Sequence, residues 1–301
     1  MFFPYRVDLE LKIFPLVTTL ICTACIYIHY SQVVSNRAVL QAAAEHCQKT
    51  SPFFEMILST LQTGPEVLDC RNFLLEVHTS TDTRSRLRQL TESSRGLSAF
   101  SEEDSRAMVT DMLQQQYDNF SRLAPDYLTK TLWYDPISWN PLNMITAVFA
   151  HADWLHLFGN LFFFFAFAAA VELIVGPITF SVLVMVTALF TGIMYSASAI
   201  ATGHPAPTVG LSGVVMAMVA LFVFFLPRGK IRCFLVIRTV VIPAWILATW
   251  YIGWDLYKLF SDTGESGINL VAHVSGAGFG YLTGLLFFRS RRQEIQEIHY
   301  V

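Results

Sequence analysis

Three short stretches carry side chains whose chemistry goes beyond packing. The first is Gly210-Leu-Ser212-Gly213, in which one hydroxyl opens an apolar run ending at Leu226. A helix over those residues would cover only about 24 Å, short of the roughly 30 Å hydrocarbon core of a bilayer. If Pro227-Arg228-Gly229-Lys230 holds its far end at one membrane surface, the serine stops inside the bilayer. Polar, irregular backbone at that depth is tolerated only inside protein or beside a wet cavity. An intramembrane nucleophile would have to sit in such a place. The same tetrapeptide also reads as a small-residue helix-packing patch. It is not the soluble-hydrolase elbow, which needs Gly-x-Ser-x-Gly, because residue 214 is Val.

The second and third stretches supply partners. His156 and Asn160 are four residues apart and share one helix face. His273 is followed by Gly276, Gly280 and Gly284, a small-residue stripe that can meet Gly213, Ala217 and Ala220 on the serine helix. Such close packing would bring an imidazole to the serine, the arrangement a nucleophile and its base require. His156, Asn160 and the Ser212 amide could then stabilise a tetrahedral oxyanion. The plainer alternatives are interhelical hydrogen bonding for His156 and Asn160, and a core histidine bonded to a carbonyl for His273. No carboxylate is expected near this site. The pair therefore reads as a dyad, with Asp255 and Lys258 as interface residues whose long side chains can snorkel.

Other chemistries are excluded. There is no His-Glu-x-x-His, and His151, Asp153 and His156 do not share one helical face, so no metal and no cofactor are expected. A pair of intramembrane aspartates is also lacking. Net charge is −3 and no basic tract interleaves with aromatics, which argues against nucleic acid as a partner.

The elements that must position these residues follow from composition. The chain has 301 residues, is 53% hydrophobic and 14% charged, and has a mean hydropathy of +0.46. Soluble domains carry about 25% charged residues, so an all-α polytopic membrane protein is expected. Residues 1–30 form an N-terminus and first span (Phe14–Tyr30), without a cleavage pattern for a signal peptide. Residues 31–140 hold 10 of the 20 Lys and Arg residues and no long apolar run. They read as a mostly helical extramembrane insertion. Turns are expected at Ser51-Pro52, Gly64-Pro65 and Ser93–Ser98, and helices over Pro65–His78 and from Ser101-Glu102-Glu103-Asp104. Cys47 and Cys70 in this segment are open to a disulfide or to two free thiols.

Residues 141–288 form the core, with further spans at Trp154–Ile174, Ile178–Ala201, Leu211–Leu226, Cys233–Leu259 and Ile268–Phe288. Residues 289–301 are a tail. Six spans and the distribution of Lys and Arg put both termini in the cytoplasm and Ser212 toward the outer side. A bacterial inner membrane is the expected location.

Taken together, Phe149-Ala-His151-Ala-Asp-Trp-Leu-His156-Leu-Phe-Gly-Asn160, Gly210-Leu-Ser212-Gly213 and Ala272-His273-Val-Ser-Gly276 resemble the rhomboid intramembrane serine proteases over about residues 141–288. The resemblance implies a six-helix rhomboid-like bundle around a wet site. Ser212 would be the nucleophile, and His273 the general base and then acid. His156, Asn160 and the Ser212 amide would form the oxyanion hole. His151, Gly210, Gly213, Gly276 and the helix-end carboxylate Glu172 would have structural roles near the site. Substrates would be transmembrane proteins within the lipid bilayer, with helix-destabilising segments and small residues near the cut. An inactive relative that binds such clients is the alternative. Two departures stand out. The family's Trp-Arg pair is missing near Leu142-Asn143, and Met216 stands four residues after the serine, where many members have an aromatic supporting the histidine.

Overall fold

The computed structural model describes residues 3–7, 14–61, 68–92, 102–235, 238–261 and 269–300. The chain divides into two compact units, one comprising residues 1–29 and 132–301 and the other residues 30–131. In chain order the elements are β1 (Phe3–Val7), α1 (Leu16–Cys47), α2 (Pro52–Thr60), α3 (Cys70–Thr79), α4 (Thr83–Glu92), α5 (Glu102–Ser121), α6 (Leu128–Leu132) and α7 (Pro141–Phe149). They continue with α8 (Trp154–Val175), α9 (Pro177–Thr202), α10 (Ser212–Phe225), β2 (Lys230–Leu235), β3 (Arg238–Pro243), α11 (Ala244–Ser261), α12 (Leu270–Phe287) and α13 (Arg289–Tyr300).

The unit of residues 30–131 is helical. Its core gathers Val39 and Ala43 of α1, Phe54, Ile57 and Leu58 of α2, Phe73, Leu74 and Val77 of α3, Leu87 and Leu90 of α4, and Val109, Leu113 and Phe120 of α5. These recur at three- and four-residue intervals, so each helix offers one apolar stripe to the centre. Three helix starts are fixed by side chains that accept otherwise orphaned amides. Ser51 takes Phe54 N at 3.3 Å, Asp69 takes Asn72 N at 2.7 Å, and Asp82 takes Arg84 N at 3.0 Å. A disulfide joins Cys47 to Cys70, with Cα atoms 5.8 Å apart, which resolves the choice left open by the sequence. Where a helix was expected from Pro65, α3 starts at Cys70 because Asp69 caps it there. Gly64-Pro65, Ser93–Ser98 and Ser101 lie outside the described residues.

The other unit is built around α10. Twelve of its fourteen residues are buried, as expected of a helix that is apolar on every side. It touches α8, α9, α11, α12 and α13. The contact with α12 is set by small residues: a Cβ on Gly276 would overlap the Gly213 carbonyl oxygen, and one on Gly280 the Ala217 carbonyl oxygen. Backbones therefore meet directly at the first two positions of the predicted stripes, whereas Gly284 faces Phe224 and Leu221 in place of Ala220. Between α8 and α9, Gly176 adopts φ 84°, a left-handed value open to glycine, and Pro177 starts α9. Glu172, buried near the end of α8, accepts Val17 N at 2.9 Å, Thr18 N at 2.8 Å and Thr18 Oγ1 at 2.7 Å. It thus caps the first turn of α1 from a distant part of the chain.

Among the described residues four helices, α1, α8, α9 and α12, are long and apolar enough to cross a membrane, and α10 is a shorter apolar helix. Their outward faces expose Leu155, Ile178, Leu282 and Phe287, an apolar surface suited to lipid. Two expectations need correction. The first helix does not stop at Tyr30 but runs on to Cys47, because the Ala-rich stretch after Ser31 favours helix and its Val39 and Ala43 find a core. The run from Cys233 begins as sheet: β1, β2 and β3 form an antiparallel sheet in that order, and α11 starts only at Ala244. Ile231 and Cys233 are buried while Lys230 and Arg232 are exposed, the period-two pattern of a half-buried strand.

Candidate active site

The site lies where α8, α10, α11 and α12 converge. Ser212 is the first residue of α10, and Leu211 before it supplies no side-chain cap. The first amides of this helix, including that of Ser212, have no acceptor within the helix and carry the positive end of the helix dipole. The loop that delivers Ser212 is pinned from several sides. Tyr134 and Thr208 exchange backbone hydrogen bonds at 2.9 Å, and Gly210 N donates to Ala147 O at 2.8 Å. Asn269, the N-cap of α12, donates from Nδ2 to Thr208 Oγ1 at 3.3 Å. Gly210 has φ 127°, and a Cβ there would lie 2.9 Å from Cε1 and 3.0 Å from Nε2 of His156. Only glycine satisfies both the backbone angle and the ring.

His156 and Asn160 therefore face the same loop, two residues before Ser212. Asp153 caps α8 by accepting His156 N at 2.8 Å, which fixes the first turn. Asn160 Nδ2 lies 3.6 Å from the Cβ position of Gly210. It is buried and has no hydrogen-bond partner among the described residues. A buried unpaired donor costs about 1–3 kcal/mol, so its retention beside the serine loop is informative. His151 packs behind, its ring centroid 5.3 Å from that of His156. It precedes the membrane-spanning part of α8. Burial, then the neighbouring His156, pushes it down to about 4, so it stays neutral.

His273 sits in the first turns of α12, adjoining Ala272, whose carbonyl oxygen would lie 3.2 Å from a Cβ on Gly213. The packing thus seats the His273 backbone next to the start of α10. No hydrogen bond joins Ser212 to His273 among the described residues. Such bonds are often loose in a free enzyme and tighten on the substrate.

One expectation about this site is overturned. A carboxylate is present: Asp255 Oδ2 lies 2.8 Å from His273 Nδ1, with side chains 13% and 15% exposed respectively. Asp255 is thus paired with His273 and is not free to snorkel. Lys258, three residues on, lies over the Trp254 ring at 5.8 Å instead of pairing with it. A signal was available, because an acid flanked by Trp254 and Leu256 in an apolar helix is a functional candidate by default. Since a carboxylate only accepts, Nδ1 must carry the proton, which leaves Nε2 as a base in the neutral ring. Among the described residues no group of His, Cys, Asp and Glu could hold a metal ion.

Comparison with curated proteins finds no match. The family profile described as the Rhomboid domain matches residues 138–290, which is 153 of 301 residues and runs from just before α7 to the start of α13. With its mostly helical architecture and its membrane-length apolar helices, the chain is an integral membrane protein that belongs to the rhomboid family.

Proposed function

We propose that the protein is an intramembrane serine endopeptidase that cleaves peptide bonds in or beside the transmembrane segments of other membrane proteins. Ser212 Oγ attacks the scissile carbonyl carbon while His273 Nε2 takes its proton. The oxyanion that forms is held by the Ser212 amide, Asn160 Nδ2 and His156. As the intermediate collapses, His273 returns the proton to the leaving amine. Water, deprotonated by the same imidazole, then hydrolyses the acyl-enzyme. The observation that carries this reading is the unpaired, buried Asn160 Nδ2 turned toward the serine loop. A merely structural Asn would spend that donor on a neighbour.

The Cys47–Cys70 disulfide supports placing residues 31–140 outside the cytoplasm, since such bonds persist in oxidising compartments. That agrees with cytoplasmic termini, Ser212 toward the outer side, and a bacterial inner membrane as host. The test is proteolysis of a panel of transmembrane substrates by the purified protein in detergent and in liposomes. Wild type should cleave, and Ser212→Ala and His273→Ala should not. Asn160→Ala should retain about one part in 10²–10³ of kcat. Equal cleavage by wild type and Ser212→Ala would refute the assignment.

A further inference from the structure

We propose that Asp255 is a positioning residue for the reaction, so that the site works as a Ser–His–Asp triad; this rests on the protease reading given above. The support is geometric. α11 packs on α10 and α12 through Tyr251 and Ile252, which lie against Met216, Ala220 and Ala277. One turn further along α11 is Asp255, and one turn back along α12 from Ala277 is His273. The two helices therefore deliver carboxylate and imidazole to each other, and their 2.8 Å contact is the closure of that register.

Met216 stands four residues after Ser212 in α10 and is buried. It offers no hydrogen bond and no ring to hold an imidazole. Asp255 fills that role by another means. A carboxylate so largely removed from water is costly unless it is paired, and its partner here is Nδ1 of His273. The bond does two things. It fixes the ring orientation, and it holds the proton on Nδ1 so that Nε2 stays free to take the proton of Ser212. As the imidazolium forms, the carboxylate stabilises its charge without itself being protonated.

The test compares full-length wild type, Ser212→Ala, Asp255→Asn, Asp255→Ala and Asp255→Glu. It reads kcat and KM on one transmembrane substrate, the rate of Ser212 modification by a fluorophosphonate, and thermal unfolding. Asp255→Asn should unfold at the wild-type temperature and keep KM. It should lose about 10²–10⁴-fold in kcat, because an amide can donate to Nδ1 and select the wrong tautomer. Its labelling rate should fall in parallel. Asp255→Glu, which keeps a carboxylate on the same helix face, should recover activity that the better isostere Asn does not. That order cannot arise from packing.

Wild-type kcat and labelling in Asp255→Asn would overturn the proposal while leaving Ser212 as nucleophile. So would losses confined to KM or to thermal stability, or Asp255→Asn outperforming Asp255→Glu. A wild type that neither cleaves nor labels would instead fail the protease reading, and this proposal with it.

Discussion

Replacing Gly276 by Ala should damage both stability and catalysis, whereas the same change at Gly278, two residues along α12, should not. A Cβ on Gly276 would sit closer to the Gly213 carbonyl oxygen than the 3.0 Å that real Cβ atoms essentially never pass, and also at 3.0 Å from Gly213 C. Both atoms are backbone, so no side chain can swing aside and the helices must separate. Overpacking of this kind costs about 1–3 kcal/mol. The required shift is on the order of 1 Å, and a misplacement of that size can cost about 10²-fold in rate. It acts on the pair that matters, because Gly213 adjoins Ser212 and Gly276 is one turn from His273. At Gly278 a Cβ meets nothing within 4 Å, and Ala gains up to about 1 kcal/mol in helix propensity. The assay is thermal unfolding in detergent together with kcat on a transmembrane substrate. If Gly276→Ala and Gly278→Ala behave alike in both, α10 and α12 are not held at backbone contact and the reasoning fails.

Much of this was legible in the sequence, and the parts that were not have physical causes. Ser212, His156, Asn160 and His273 are polar residues in apolar helices, where each is conspicuous. The Gly276, Gly280 and Gly284 stripe repeats every four residues, so its helix face could be assigned. Asp255 was passed over because it and Lys258 fall near the end of their apolar run, where charged side chains are tolerated at a membrane interface. Whether Asp255 faces lysine or histidine is decided by the register of α11 against α12, a tertiary fact. The hairpin of β2 and β3 was hidden inside a long apolar run. Its alternation over Lys230–Cys233 is too short to outweigh the hydropathy of Val240, Val241 and Ile242. The far end of α1 was lost because its stripe is buried against residues distant in sequence.

Further outcomes follow from particular contacts. Glu172→Ala should destabilise by about 3 kcal/mol or more in thermal unfolding, since it strips acceptors from two amides and a hydroxyl at the start of α1. Glu172→Gln, which keeps one acceptor, should cost less. The disulfide closes a separation of 23 residues. Its reduction should lower the stability of residues 30–131 by about 3 kcal/mol, read by hydrogen exchange of peptides from that unit with and without reductant. Burial, then His156, depresses His151 from 6.5 to about 4. The unfolded chain therefore takes up a proton that the folded one refuses, and stability falls as pH drops from 6.5 toward 4. The loss should reach about 2 kcal/mol by pH 5. His151→Phe should flatten that dependence, and an unchanged slope in this variant would place the pH sensitivity elsewhere.

The central claim is that Ser212 is an activated nucleophile, and the most direct measurement is covalent. The purified protein is incubated with a fluorophosphonate, digested, and the modified residue located by mass spectrometry. The adduct should fall on Ser212 alone, and His273→Ala should abolish it without unfolding the protein. A folded wild type with Ser212 unmodified, or labelling that persists undiminished in His273→Ala, would contradict the account.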